Sequence, residues 1–217
     1  AYGSATQVDD VIYFAGGAND FESETAMNNF WRLDLSKEKQ DQSNFNWEIL
    51  PSWPGPPRAF NITVAQFNGR TDCIYVIGGL CKKKNDDKLP ELRGLRDVYE
   101  FSPINYHYKQ NNQKFWRRRA SAPEYIFAGQ GIAIGQTHIF IFGIDNEASF
   151  LNTDMIERNF FPNSKGIWAY HPVTNTWVCA GKLSINQNFM HAVKWDNSII
   201  IPGAEIQAGI KIPKIYK

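Results

Sequence analysis

Short apolar runs that end in glycine or a small-residue turn recur along the 217-residue chain. The four runs are VIYFAGG (11–17), CIYVIGG (73–79), HIFIFGI (138–144) and SIIIPGA (198–204). They return about every 60 residues, which indicates a tandem repeat. Because β-branched and aromatic residues dominate each run and no window keeps a 3.6-residue period, the pattern predicts strands rather than helices.

Other strand-like segments accompany each run in a constant order. A small-residue segment precedes the run, an aromatic segment follows it, and a tryptophan comes last. The aromatic segments cover 28–36, 96–103 and 165–172, and the tryptophans are Trp47, Trp116 and Trp177. We name the four predicted strands of each unit a, b, c and d, with the glycine run as b. Glycine permits a positive φ at the end of b, and tryptophan is expected to fill the space between neighbouring sheets.

Tandem units of this kind resemble kelch motifs, which build β-propellers from four-stranded blades. We therefore predict an all-β protein, a kelch-type β-propeller of four-stranded antiparallel blades. The blades of this single domain are expected at about 1–51, 58–122, 125–182 and 188–217, the last one partial. Three blades and part of a fourth form an incomplete ring with exposed faces. We expect the remaining blades from upstream sequence or from another chain.

Three insertions lengthen the units, and all follow strand b: 18–27, 81–96 and 145–166. In an antiparallel four-stranded blade, the b–c and d–a connections leave at the same end of the sheet. The insertions should therefore surround one mouth of the central channel, and long loops on a rigid scaffold often carry function. Glu205 lies just past the expected end of the fourth strand b, at this same mouth.

Charge and composition exclude several classes of function. The chain has 23 Lys and Arg against 22 Asp and Glu, a net charge of +1, which disfavours nucleic acid as a partner. No apolar run is long enough to insert into a membrane. The four histidines lack ligand spacing, so no metal and no cofactor are predicted. The three cysteines, Cys73, Cys81 and Cys179, are expected to pack as small apolar groups, and Arg117 to Arg119 to discourage pairing at an outer edge.

The quoted segments, together with the C-terminal stretch, resemble the C-terminal half of the sialic-acid mutarotases, also called N-acetylneuraminate epimerases. The likeness is greatest to their cyclically permuted branch, in which such propellers also occur attached to sodium:solute symporters. That family carries a Gly-Glu-Ile-x-Pro-Gly-x-Arg-Thr-Pro segment after strand b. Here the segment is Ala204 to Pro213: Glu205 is kept, Ala208 replaces the proline, and Lys211 replaces the arginine.

The resemblance implies a cofactor-independent mutarotase that interconverts the anomers of a sugar acid, N-acetylneuraminate above all. Glu205 would move the proton and Lys211 would hold the substrate carboxylate, as the catalytic pair. The setting would be a bacterial sialic-acid uptake system, in the periplasm or elsewhere outside the cytoplasm. The alternative is a non-catalytic propeller that binds a glycan or a protein partner, and a third hypothesis is a sensory or accessory domain of a sodium:solute symporter.

Three further residues are candidates for substrate binding. Arg58 lies in a d–a connection at the predicted mouth, where it would either hold the substrate carboxylate or tie one blade to the next. His191 and Gln130 occupy the same innermost-strand position as Ser4 in their units. They would either point into the channel and contact the sugar, or serve the structure.

Overall fold

The structure is a computed structural model in which strands are the main regular element. It describes residues 1–20, 23, 25–40, 42–85, 88–108, 114–142, 166–182, 192–207 and 210–216. The strands form three four-stranded sheets, one three-stranded sheet and one hairpin, with every strand pair antiparallel. The all-β prediction is confirmed.

Each of the first three sheets follows the predicted order a, b, c, d. The first contains β1 (Ser4–Val8), β2 (Val11–Ala15), β3 (Phe30–Asp34) and β4 (Glu48–Ile49). The second contains β5 (Ile62–Phe67), β6 (Asp72–Ile77) and, after a hairpin of β7 (Leu80–Asn85) and β8 (Lys88–Gly94), β9 (Val98–Phe101) and β10 (Trp116–Arg119). The third contains β11 (Gln130–Ile134), β12 (His138–Phe142), β13 (Gly166–His171) and β14 (Thr176–Lys182).

The fourth sheet has three strands, β15 (Val193–Trp195), β16 (Ser198–Gln207) and β17 (Ile210–Tyr216). Two c–d connections hold short helices, α1 (Lys37–Gln40) with a 3-10 turn (Gln42–Asn44), and α2 (Pro103–Tyr108). Within the described ranges, no helix is long and apolar enough to cross a bilayer. The four sheets lie inside the ranges expected for the blades; that they form one domain with those boundaries stays a prediction.

Strands a of neighbouring sheets lie side by side and run parallel. The Ser4 hydroxyl accepts a hydrogen bond from the Thr63 amide at 2.9 Å, and the Thr6 hydroxyl accepts one from the Ala65 amide at 3.0 Å. At the next junction the Gln66 side chain donates to the carbonyl of His138 at 2.8 Å. Side chains thus join strands that have no backbone ladder between them, and the sheets are arranged radially.

The core fills the spaces between sheets, and β6 shows how one strand serves two of them. Ile74 and Val76 pack toward the first sheet, whereas Tyr75 and Ile77 pack toward the third. All four are completely buried. Because successive side chains of a strand point to opposite faces, a strand covered on both faces has to be apolar throughout, which explains the continuous apolar runs in the sequence.

The double glycine after β6 is required by a neighbouring segment as well as by the backbone. Gly78 and Gly79 have φ values of 58° and 105°. A Cβ atom at Gly78 would lie 2.1 Å from the Ile126 carbonyl oxygen, and the amide of Gly79 donates to the same oxygen at 2.6 Å. The predicted positive φ at the end of strand b is confirmed here, and it brings consecutive units into contact.

Three expectations from the sequence differ from the structure. Glu205 lies inside β16, because this strand continues to Gln207 instead of ending at the Pro-Gly-Ala turn. Trp47 is 47% exposed, whereas Trp116 is buried as expected between the first two sheets. Cys179 is exposed and does not pack as a small apolar group.

Candidate functional site

The b–c and d–a connections meet at one end of the sheets, as the topology requires. Arg58 lies in the segment that leads into β5, and its backbone carbonyl accepts a hydrogen bond from the Gly17 amide at 2.8 Å. The Arg58 side chain donates to the carbonyl of Gly78, which follows β6, the next strand b. The hairpin β7–β8 begins directly after this glycine pair. This end of the sheets is the predicted mouth of the channel.

Glu205 and Lys211 are brought to opposing positions by the fourth sheet. Beyond its pairing with β15, strand β16 continues as a hairpin with β17, in which Glu205 and Lys211 are register partners. The register is irregular between Glu205 and Gln207, and bulges of this kind often occur beside active sites. The backbone therefore places the two expected catalytic residues opposite each other, with Glu205 on β16, the fourth strand b, and Lys211 on the next strand, β17.

Arg58 is buried completely and its guanidinium is fully engaged. It donates to both carboxylate oxygens of Asp97, at 2.8 and 3.0 Å, and to the carbonyl of Gly78 at 2.8 Å. The guanidinium also lies over the rings of Trp53 and Tyr99. Burial, with the negative charge of Asp97, raises the pKa of Tyr99.

These contacts favour one of the two roles expected for Arg58. Gly78 and Asp97 flank the hairpin β7–β8 in the sequence, so a side chain bound to both holds the base of this hairpin closed. A bidentate Arg–carboxylate pair is well suited to that task because its geometry is rigid. Arg58 thereby ties the connection before β5 to the b–c insertion of the second sheet.

The structure describes only one of the other two candidates for substrate binding, Gln130 and His191. Gln130 is the first residue of β11 and is half-buried, and its side-chain amide donates to the carbonyl of Gly131 at 3.2 Å. His191 lies outside the described residues. Within the described ranges, no group of three or more His, Cys, Asp or Glu side chains is arranged to hold a metal ion.

The sequence pattern did not indicate that Glu100 would be a buried carboxylate. Glu100, on β9, is 1% exposed. Its Oε1 accepts from Asn68 at 3.0 Å and from Nε of Arg117 at 3.1 Å, and its Oε2 accepts from the Tyr75 hydroxyl at 3.1 Å and pairs with Nε of Arg119 at 3.3 Å. We call these five residues the Glu100 cluster. Two of the three arginines expected to be edge charges instead neutralise a charge in the interior.

The Glu100 cluster extends into the third sheet. Arg119 donates to the Tyr170 hydroxyl at 3.1 Å, and that hydroxyl donates to Asn175 at 2.9 Å. Burial and the charge of Glu100 raise the pKa of Tyr75, and the same two causes raise the pKa of the Cys73 thiol. The cluster is a structural junction between two sheets. Its only sequence signal is a lone carboxylate between aromatic residues, in VYEF.

Comparisons with known proteins agree with this architecture. No family model matches the chain. Two relatives are proteins named N-acetylneuraminate epimerase. The one from Yersinia enterocolitica serotype O:8 is 26% identical over 100% of this chain and 54% of its own length. The one from Yersinia pestis strain Pestoides F is 23% identical over 87% of this chain and 49% of its own length. The chain thus spans about half the length of the curated relatives it matches.

A solved structure supports the fold. The structure of YjhT superposes with a TM-score of 0.66 at 18% identity, covering 97% of this chain and 58% of that one. Its fold is a kelch-type propeller, so the radial sheets described above are blades, three complete and one partial. The fold class predicted from the sequence is confirmed. At these low identities the chain is similar to proteins named N-acetylneuraminate epimerase, and its fold is a β-propeller.

Proposed function

We propose that the protein is a sialic-acid mutarotase, an isomerase that interconverts the α- and β-anomers of N-acetylneuraminate. The proposal is carried by the likeness to proteins named for N-acetylneuraminate, which extends over the whole chain. A second support is local: Glu205, in the segment that resembles the family's own, is the register partner of Lys211. A base and a cation would then be adjacent at the mouth of the propeller.

The proposed reaction consists of proton transfers and the breaking and re-forming of one bond. In mutarotation the anomeric hydroxyl loses a proton, the ring oxygen gains one, and the bond between the anomeric carbon and the ring oxygen breaks. The resulting open-chain ketone then closes on its other face. We propose that Glu205 takes and returns the proton as a general base and acid, a role that contributes about 10²–10⁴-fold in rate.

Lys211 is proposed to hold the carboxylate of the sugar acid. An ammonium group provides charge but lacks the planar fork with which arginine binds a carboxylate at two oxygens. We expect Gln130, the first residue of β11, and His191, which the sequence pattern aligns with it, to contact the sugar. Arg58 is assigned the positioning role described above, since its donors are bound to Asp97 and Gly78.

Proton NMR tests this function directly. Freshly dissolved α-anomer is mixed with the protein, and the anomer ratio is followed against buffer, in which the reaction also proceeds. We expect faster equilibration with the native protein and a return to the buffer rate with Glu205→Gln. Glu48→Gln, which removes a carboxylate from the outer strand β4, is the matched control and should retain the native rate. No acceleration by the native protein, or full activity of Glu205→Gln, contradicts the proposal.

Lys211 is tested by two variants that differ in charge and shape. Lys211→Met should raise KM, because the substrate carboxylate loses its cation. Lys211→Arg should keep or lower KM, because it restores the bidentate group. Equal KM values for all three proteins would exclude the carboxylate-holding role. The expected location outside the cytoplasm stays a prediction, which fractionation of the native host would check.

A further inference from the structure

Three non-glycine residues share an unusual backbone conformation at the mouth. Tyr2, Phe60 and Ala128 have φ values of 58°, 56° and 52°. Each lies two residues before the innermost strand of its sheet, at β1, β5 and β11. The left-handed region is unfavourable for residues with a side chain, and such residues concentrate at functional sites. The same left-handed backbone conformation thus occurs before the innermost strand of three consecutive blades.

Hydrogen bonds join these positions into a belt. The amide of Phe60 donates to the carbonyl of Tyr2 at 2.8 Å, and the amide of Ala128 donates to the carbonyl of Phe60 at 2.9 Å. Each left-handed residue therefore links its blade to a neighbour at the point where the chain turns into the innermost strand. The belt fixes the backbone from which these side chains project.

The side chains of the first two positions form an aromatic pair. The ring centroids of Tyr2 and Phe60 are 4.7 Å apart, with 34° between the ring planes. Phe60 also packs against a small buried cluster of Ala18, Ala26 and Ala59, while Tyr2 is 37% exposed. The Phe60 ring is therefore held by this cluster, and the Tyr2 ring packed against it is partly exposed to solvent.

The row of rings stops at the third blade. Ala128 has only a methyl group at the position where Phe60 and Tyr2 carry rings, and Gln130 begins the adjacent innermost strand. Small-molecule sites are usually lined by aromatic and apolar side chains with a few polar groups, and Gln130, two residues after Ala128, is polar. The C–H face of a pyranose ring is apolar and flat enough to pack on such a surface, while its hydroxyl groups need polar partners.

We propose that Tyr2 and Phe60 form a stacking subsite for the ring of a sugar acid at the mouth of the propeller. This inference rests on the proposed function for the identity of the sugar. In this arrangement the rings contact carbon atoms whose bonds do not break in the reaction, so we expect them to contribute equally to binding of the substrate and of the transition state. Loss of a ring should therefore raise KM and leave kcat unchanged.

The test uses Tyr2→Leu and Phe60→Leu, which keep apolar volume but remove the rings. With N-acetylneuraminate as substrate, each should raise KM about fivefold, the order expected for an aromatic contact, with kcat unchanged. Tyr106→Leu is the control, since Tyr106 packs edge-to-face against Phe115 in the c–d connection region, away from the mouth. Circular dichroism and the thermal midpoint confirm that each variant folds. Folded ring variants with native KM values overturn the subsite.

A second measurement separates this inference from the proposed function. Saturation-transfer NMR with the methyl glycoside of N-acetylneuraminate, which cannot open its ring, reports binding alone. Transfer from aromatic protons to the ring protons of the glycoside, lost in Phe60→Leu, supports the subsite even if the protein does not accelerate mutarotation. An active protein with unchanged transfer in both ring variants overturns the subsite and leaves the function intact. Absence of both binding and activity overturns both.

Discussion

The first two sheets carry the same cross-strand ion pair with the charges exchanged. In the first sheet Arg32 is the register partner of Tyr13 and Glu48. In the second sheet Glu100 is the register partner of Tyr75 and Arg117. The Arg32 and Glu48 side chains are 28% and 45% exposed, whereas Glu100 is 1% exposed. The third sheet has Ala169 and Val178 in this place.

The comparison shows that the neighbouring sheet decides what a position contributes. The pair in the first sheet is partly open to solvent, where ion pairs contribute little. Glu100 is enclosed by its own sheet and by the third, so it depends on every donor that surrounds it. Local sequence and register are alike in the two places, but the surroundings are not.

Glu100→Gln should have the largest effect, because it leaves Arg119 without its carboxylate in a covered junction. We expect a loss of about 3 kcal/mol in the free energy of unfolding. Urea denaturation at neutral pH measures it. Glu48→Gln, at the equivalent cross-strand pair of the first sheet, is the control for removal of a carboxylate. Similar losses in the two variants would show that coverage by the third sheet does not matter.

A pair of glycines extends the same comparison to the backbone. Gly78 and Gly135 have nearly equal φ values, 58° and 57°, but a Cβ at Gly78 would meet the Ile126 carbonyl while one at Gly135 meets nothing within 4 Å. We expect Gly78→Ala to cost about 2 kcal/mol from strain and collision, and Gly135→Ala about 1 kcal/mol from strain alone. The shift in denaturation midpoint tests this, and equal shifts would contradict it.

Alkaline pH should reveal the contribution of the Tyr75 hydroxyl, which donates to the buried Glu100. The pKa of Tyr75 is raised in the folded protein by burial and by Glu100, whereas an unfolded tyrosine has a pKa of about 10. Above that pH the unfolded state loses this proton first, so the free energy of unfolding falls as pH rises. We expect Tyr75→Phe to cost about 1 kcal/mol at neutral pH and to flatten this decline. Denaturation curves between pH 8 and pH 11 would show it, and an unchanged slope would refute it.

The smallest effect belongs to the exposed pair itself. Removal of either partner, as in Arg32→Gln, should change the free energy of unfolding by less than about 1 kcal/mol, because water replaces the lost contact. The same denaturation assay, repeated at high salt, provides the check. A loss comparable to that of Glu100→Gln would mean that the first junction is closed as tightly as the second.

Much of the architecture was predictable because its signals are local. The runs that end in glycine predicted strands b, and the described residues contain β2, β6, β12 and β16 at those places. The family segment indicated Glu205 and Lys211, but their direct pairing follows from a hairpin register that the sequence did not predict. Arg58 had two open roles, and contacts with Asp97, 39 residues away, favour one of them.

The sequence by itself determined the strand order, the repeat and the glycine turns, because each depends on neighbours along the chain and on backbone sterics. Only the tertiary structure decided which charges are buried, since Glu100 and Arg32 look equally exposed in a linear pattern. It also decided that the rings of Phe60 and Tyr2 pack against each other, although they lie in different blades. The physical reason is the same in each case: burial and pairing are properties of two surfaces in contact, and one surface alone does not specify the other.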